Sequence, residues 1–215
     1  IALGKLTLIA GDPGLGKSLV TADMAARVST GGLWIDETES PQGSVFFISA
    51  EDDPEDTICP RLAAAEANLT RVRVHQGVSE IAPDGRPVLK TMALADDLPA
   101  LIAEIRAIGD VRLIVIDPIS AYLAGVDTHR NADVRAVLAM LGDAARETGA
   151  AVVAVTHLNK GQGAAKSRIT GSIAFVAAAR AAYLVAADSS NPDRRLFLPV
   201  KNNIGVDKTG HAFGI

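Results

Sequence analysis

Gly11, Asp12, Pro13, Gly14, Leu15, Gly16, Lys17 and Ser18 stand at the spacing G-x-x-x-x-G-K-[ST]. Glycines so placed let the backbone curl around an anion with successive N–H groups turned inward. A helix that begins at the end of the run adds its positive dipole end to the same spot. Lys17 would reach the outer phosphates of a nucleoside triphosphate, and the Ser18 hydroxyl would coordinate Mg2+. The spacing carries this meaning only between a strand and a helix. Residues 5–10, Lys-Leu-Thr-Leu-Ile-Ala, read as a short buried strand, and Leu19, Met24, Ala25 and Val28 recur at helical spacing behind the loop. The segment is therefore expected to bind the phosphates of a nucleoside triphosphate.

Two acids are placed to complete such a site. Leu113, Ile114, Val115 and Ile116 are followed by Asp117, a layout that holds a carboxylate at the mouth of a buried strand, next to Mg2+ or one water away from it. Phe46, Phe47, Ile48 and Ser49 lead into Glu51, Asp52 and Asp53. Glu51, nearest the strand end, is the candidate base that orients and deprotonates an attacking water. Asp52 and Asp53 could instead simply cap a helix that starts at Pro54, where proline suits the first turn. His157 follows another apolar run and could sense a γ-phosphate, or be an ordinary surface histidine. Residues 159–168 are glycine-rich and carry Lys160, Lys166 and Arg168 with no acid. Such a segment could touch a nucleic-acid backbone without reading its sequence, or be a solvated loop. It has no aromatic residue to stack on bases. GTP specificity is disfavoured, because Asn159-Lys160 is followed by Gln162 where a guanine-reading motif would have Asp.

The elements that must hold these residues can also be read. Residues 6–10, 45–49, 113–116 and 151–156 are nearly continuous apolar runs, the mark of strands buried on both faces. Helix-like stretches lie at 18–30, 54–68, 98–108 and 132–148. Alternating strands and helices imply an α/β fold, a mostly parallel central sheet flanked by helices. Residues 72–75 could add a strand, residues 83–87 (Pro-Asp-Gly-Arg-Pro) read as a turn, and residues 183–186 and 196–200 read as a C-terminal antiparallel hairpin of edge strands. Ligands of such sheets sit beyond the carboxyl ends of the strands, where all the candidates above fall.

Composition sets the outer bounds. With 215 residues, 48% of them hydrophobic and 21% charged, the chain suits one α/β domain over 1–215. It begins at Ile1 and its first strand follows almost at once, which reads as a piece of a longer protein. The net charge of -4 argues against a surface that is basic overall. A lone cysteine, Cys59, makes no internal disulfide, so a reducing, cytoplasmic setting is the natural reading. The apolar stretch 173–187 is interrupted by Arg180 and is too short to span a bilayer.

Taken in order, the loop at Gly11–Ser18, Ala50-Glu51-Asp52, Asp117 after its apolar strand, Thr156-His157, and residues 171–180 ending at Arg180 resemble a RecA-fold P-loop ATPase. Within that group the chain resembles the RepA-like hexameric replicative helicase branch, kin of DnaB and KaiC-type motors. The likeness runs from Lys5 to about Gly205. It implies ATP and Mg2+ as ligands, water activation by Glu51 and a γ-phosphate contact from His157. It further implies a homo-oligomeric ring, expected to be a hexamer, in which Arg180 reaches a neighbour's site. Lys201, after a late strand, resembles a second cation aimed across that interface. An arginine in an alanine-rich apolar stretch is costly to bury unless it meets an anion, although a surface arginine or one paired with an internal acid would read the same way. Three functions follow from the pattern: a ring motor on single-stranded DNA, a KaiC-type regulatory ATPase that moves no DNA, and a small-molecule kinase.

Overall fold

The computed structural model describes residues 1–126, 131–158, 173–205 and 209–215. The elements run β1 (Leu6–Gly11), α1 (Lys17–Thr30), β2 (Ser44–Ser49), a π turn (Pro54–Ile58) leading into α2 (Cys59–Ala64), then β3 (Val72–His75), β4 (Val78–Ile81) and β5 (Pro87–Lys90). They continue through α3 (Leu94–Ile108), β6 (Val111–Asp117), α4 (Asn131–Thr148), β7 (Ala151–His157), α5 (Ile173–Ala178), β8 (Ala181–Ala187), β9 (Arg194–Asn202) and β10 (His211–Gly214). An eight-stranded sheet has the order β10-β9-β8-β1-β7-β6-β2-β3. Strands β8 through β3 in that order are parallel, while β9 runs antiparallel to both β8 and β10. This is the RecA-like architecture, a mostly parallel sheet with flanking helices and a C-terminal antiparallel hairpin.

The central strands alternate between two cores. Leu8, Phe46, Ile114, Ile116 and Val152 face the layer of α3, α4 and α5, with Val134, Leu138 and Leu141 of α4 meeting them at helical spacing. Ile9, Val45, Phe47, Val115 and Val153 face α1 and α2 through Ala22, Ala25, Val28 and Leu62. Apolar residues at successive strand positions are thus needed on both faces, which is why these runs do not alternate with polar residues.

Four differences from the sequence reading have local causes. The helix read over 54–68 is a π turn followed by α2, which stops at Ala64. Pro60 has no N–H for the ladder, the chain bridges with wider Cys59 N–H to Pro54 O spacing, and Glu66 ends the run at φ 63. Helix α3 starts at Leu94, four residues before the expected start; Asp97 accepts from the Ala93 N–H at 2.7 Å, and Pro99 falls inside the helix. The turn at 83–87 belongs to a separate two-stranded hairpin, β4 with β5. Finally β8 is an interior strand, parallel to β1 on one side and antiparallel to β9 on the other, and the edge is β10.

Candidate functional site

Strand β1 ends at Gly11, and α1 begins at Lys17 directly behind the loop. Gly16 adopts φ 84, ψ 21, a left-handed conformation open to glycine at no steric cost. No side chain caps α1 and no acid sits in its first turn. Its positive end is therefore unopposed, as an anion site requires. Gly11 is needed for another reason: a Cβ there would lie 2.6 Å from the Val185 carbonyl oxygen of β8. Lys17 is 6% exposed, and its ammonium donates to the carbonyls of Gly11 (3.0 Å) and Asp12 (2.9 Å) at the start of the loop. The loop is thus pre-shaped around its own cation. Burial pulls the Lys17 pKa below the usual lysine value, while Asp117, Asp12 and Glu51 hold it up.

The sheet lines up the remaining candidates. Gly11 is opposite His157 at the end of β7, and Ser49 of β2 is opposite Asp117 at the end of β6. Loop, His157, Asp117 and the turn bearing Glu51 follow one another across the carboxyl ends of β1, β7, β6 and β2. Asp117 is 7% exposed, and burial raises its pKa above the ordinary carboxylate range; a hydrogen bond from Ser18 and the charge of Lys17 pull it down, while Asp52 and Glu51 push it up. One carboxylate oxygen, Oδ2, is buried without a hydrogen-bond partner. Glu51 Oε2 lies 3.7 Å from His157 Nε2, with both side chains open to solvent. Asp52 Oδ2 takes a 2.6 Å ion pair from Arg61 of α2. Asp53 caps the π turn, accepting from the N–H groups of Glu55 (2.8 Å) and Asp56 (3.3 Å). The three adjacent acids therefore have separate partners: Asp52 pairs with Arg61, Asp53 caps the π turn, and Glu51 lies beside His157.

A hydroxyl and a buried carboxylate with a spare oxygen, both beside a phosphate-shaped loop, are the hard oxygen donors that Mg2+ takes when phosphates fill the rest of its shell. Ser18 and Asp117 fit that ion. Among the described residues no group of three or more His, Cys, Asp or Glu is arranged to hold a metal by itself.

Arg180 and Lys201 lie elsewhere. The Arg180 N–H donates to Leu6 O at 2.9 Å, at the amino end of β1, so its backbone sits five strand positions, about 17 Å, from Gly11. Arg180 stands exposed in the bend between α5 and β8. Lys201 is opposite Ala182 at the same end of the sheet, and its ammonium donates to the carbonyls of Val176 (2.9 Å) and Ala177 (2.8 Å) at the end of α5. Lys160, Lys166, Arg168 and residues 171–172 lie outside the described residues.

Two site neighbours were not singled out from the sequence. Tyr122, at the end of a 3-10 turn (Ile119–Tyr122) after Asp117, is fully buried with its hydroxyl unpartnered. Burial, then the charges of Asp117 and Glu51, raise its pKa far above the ordinary phenol value, so it stays protonated. A tyrosine five residues past the acid was the available signal. Arg61, nine residues from Asp52, gave none.

The fold and the loop together define a P-loop ATPase domain of the RecA-like kind. Within that class the chain belongs to the AAA domain family, whose profile matches residues 1–163. Among solved structures it is similar to one described as an "ATPase Domain", with a TM-score of 0.68 at 14% identity, covering 97% of this chain and 80% of that one. No curated protein matches in sequence. No helix among the described residues is long and apolar enough to cross a membrane.

Proposed function

We propose that this domain hydrolyses ATP with Mg2+ in a ring of identical subunits and moves along single-stranded DNA, as the resemblance to replicative helicases implies. Lys17 and the loop formed by Gly11, Asp12, Pro13, Gly14, Leu15 and Gly16 hold the phosphates. Ser18 and Asp117 would hold the Mg2+, which would supply positive charge against the charge that develops on the phosphates during transfer. Glu51 orients the attacking water and takes its proton. His157, 3.7 Å from Glu51, contacts the γ-phosphate and couples its presence to the chain that follows.

The observation that carries the ring reading is the placement of Arg180. It is exposed and emerges at the amino end of the sheet, whereas its own phosphate loop is at the carboxyl end. A guanidinium there is out of reach of its own site and free to enter a neighbour's, where it would stabilise transition-state charge. Lys201, bonded to α5 just ahead of Arg180, supports that bend and has a positioning part. The cationic residues Lys160, Lys166 and Arg168 would meet the DNA backbone.

Phosphate release measured over a range of protein concentrations, with and without single-stranded DNA, tests this. The expected result is cooperative turnover that DNA raises and that Arg180→Ala lowers by about 10^3 or more with ATP binding kept. Concentration-independent turnover by a monomer would contradict the ring. Turnover indifferent to DNA would leave an ATPase of the regulatory, KaiC-like type.

A further inference from the structure

Strand β2 ends at Ser49, and the chain leaves the sheet through residues 50–53 before the π turn begins. Ala50, Glu51 and Asp53 are exposed and Asp52 is half-buried, so packing does little to hold this connection. Polar ties do the holding. The Asp52 N–H donates to Ser49 Oγ at 3.3 Å, and the Asp53 carboxylate accepts from the N–H groups of Glu55 and Asp56. The third tie spans nine residues: Arg61 Nη1 donates to Asp52 Oδ2 at 2.6 Å. Arg61 has a firm support, since Ile58 and Leu62 near it on the same turn are 3% and 0% exposed and pack in the core with Ala22 and Ala25 of α1. The π turn bears on its direction. One extra residue in a helical turn rotates every later side chain by about 100° around the axis. After that rotation Leu62 packs in the core beneath α1, and Arg61 reaches back to Asp52. The pair lies close to the phosphate loop: Ser18, Asp52, Arg61 and Leu62 share a cavity of about 10 Å³, space for no more than about one water.

Stability is a weak reason for this ion pair. The side chains of Arg61 and Asp52 are 38% and 33% exposed, and pairs that solvent reaches contribute little to folding. Position is a better reason. Asp52 is the chain neighbour of Glu51, and the charges of both act on Asp117. Left unpaired, the Asp52 carboxylate would be a second, wrongly placed acid beside that group, and the connection bearing Glu51 would lose its longest tie. We infer that Arg61 is a positioning residue, whose ion pair with Asp52 fixes the turn that carries Glu51 and keeps the Asp52 charge turned toward α2. This rests on the reading of Glu51 as the group that activates water. It adds a residue on α2, outside the phosphate loop and the strand ends, on which turnover depends.

The test measures kcat for phosphate release and ATP affinity, both in Mg2+, for the full chain and for Arg61→Gln, Arg61→Lys, Asp52→Asn, Glu51→Gln and the double variant Glu51→Gln/Arg61→Gln. A displacement of about 1 Å in a reacting geometry can cost about 10^2-fold. Arg61→Gln and Asp52→Asn are therefore each expected to lower kcat about 10- to 100-fold with ATP affinity unchanged. The contact uses one guanidinium nitrogen, which a lysine ammonium can replace, so Arg61→Lys should recover most of the rate. With Glu51 already replaced, adding Arg61→Gln should slow turnover no further. A parent-like kcat in Arg61→Gln and Asp52→Asn would overturn the inference while leaving Glu51 as the base. It would also be overturned by a loss of ATP affinity large enough to explain the slower rate. An Arg61→Gln loss of the same factor with and without Glu51 would overturn it too, because Arg61 would then act on its own. If Arg61→Gln does not fold, Asp52→Asn, which keeps the side-chain shape, decides the matter. Glu51→Gln that turns over like the parent would instead refute the reading of Glu51, and the positioning role with it.

Discussion

Asp117→Asn should make the nucleotide-free protein more stable at neutral pH while it removes the proposed metal-side carboxylate. Asp117 is 7% exposed, one of its oxygens is buried without a partner, and burial is the largest influence on its pKa, which is raised. An acid whose folded-state pKa lies above its unfolded value holds its proton more tightly when folded. Its contribution to stability is present at low pH and lost as pH rises through the folded-state pKa. At neutral pH the ionised carboxylate is therefore a net cost. Asn keeps a buried polar group there, so the gain comes from losing the ionised charge, and a tenfold change in proton affinity corresponds to about 1.4 kcal/mol. The loss of attraction to Lys17 offsets part of the gain, which places the expectation at about 1–2 kcal/mol. For a domain of this size that is roughly 2–8 °C in Tm. Thermal melts without nucleotide or Mg2+, repeated from neutral pH down to the ordinary carboxylate range, should show the gain shrinking as Asp117 of the parent protonates. A Tm at or below the parent's at neutral pH, or a gain indifferent to pH, would refute the reasoning. An active site that costs stability in its empty state is the usual trade against function.

Gly11→Ala should destabilise by about 1–3 kcal/mol or more, since the new Cβ meets backbone of β8 at 2.6 Å and β1 and β8 must separate; an unchanged urea midpoint would contradict this. Asp53→Ala removes two capping bonds at the start of the π turn and should cost about 0.5–2 kcal/mol in the same assay. Tyr122→Phe, which deletes a buried hydroxyl with no partner, should leave the melting of the nucleotide-free chain unchanged or raise it. A loss above about 1 kcal/mol would mean that the hydroxyl has a partner in solution.

Much of this arrangement is legible in the sequence because it is local. The loop announces itself through glycine spacing, and Asp117 through four apolar residues in front of it. The double-faced burial of β1, β2, β6 and β7 is written in unbroken apolar runs. What stays hidden depends on distant contacts or on competing local effects. Pro60 falls where a π turn passes into a helix that ends at Ala64, and Pro99 sits inside a helix whose start it resembles. Strand β10 is four residues long and gains its place only by pairing with β9, so no periodicity betrays it. Its position over Gly16 cannot be read at all without the fold. Arg180 stands out in the sequence, but that it falls between the end of a helix and the start of a strand, and not within one apolar element, does not show there.

Glu51 is proposed to activate water at a site whose phosphates are held by the loop. Phosphate release and ATP binding, measured side by side for the parent, Lys17→Ala and Glu51→Gln in Mg2+, test it most directly. Lys17→Ala is expected to lose ATP affinity, whereas Glu51→Gln should keep ATP bound and slow turnover about 10^2- to 10^4-fold. Turnover retained by Glu51→Gln, or lost only in proportion to weaker ATP binding, would contradict it.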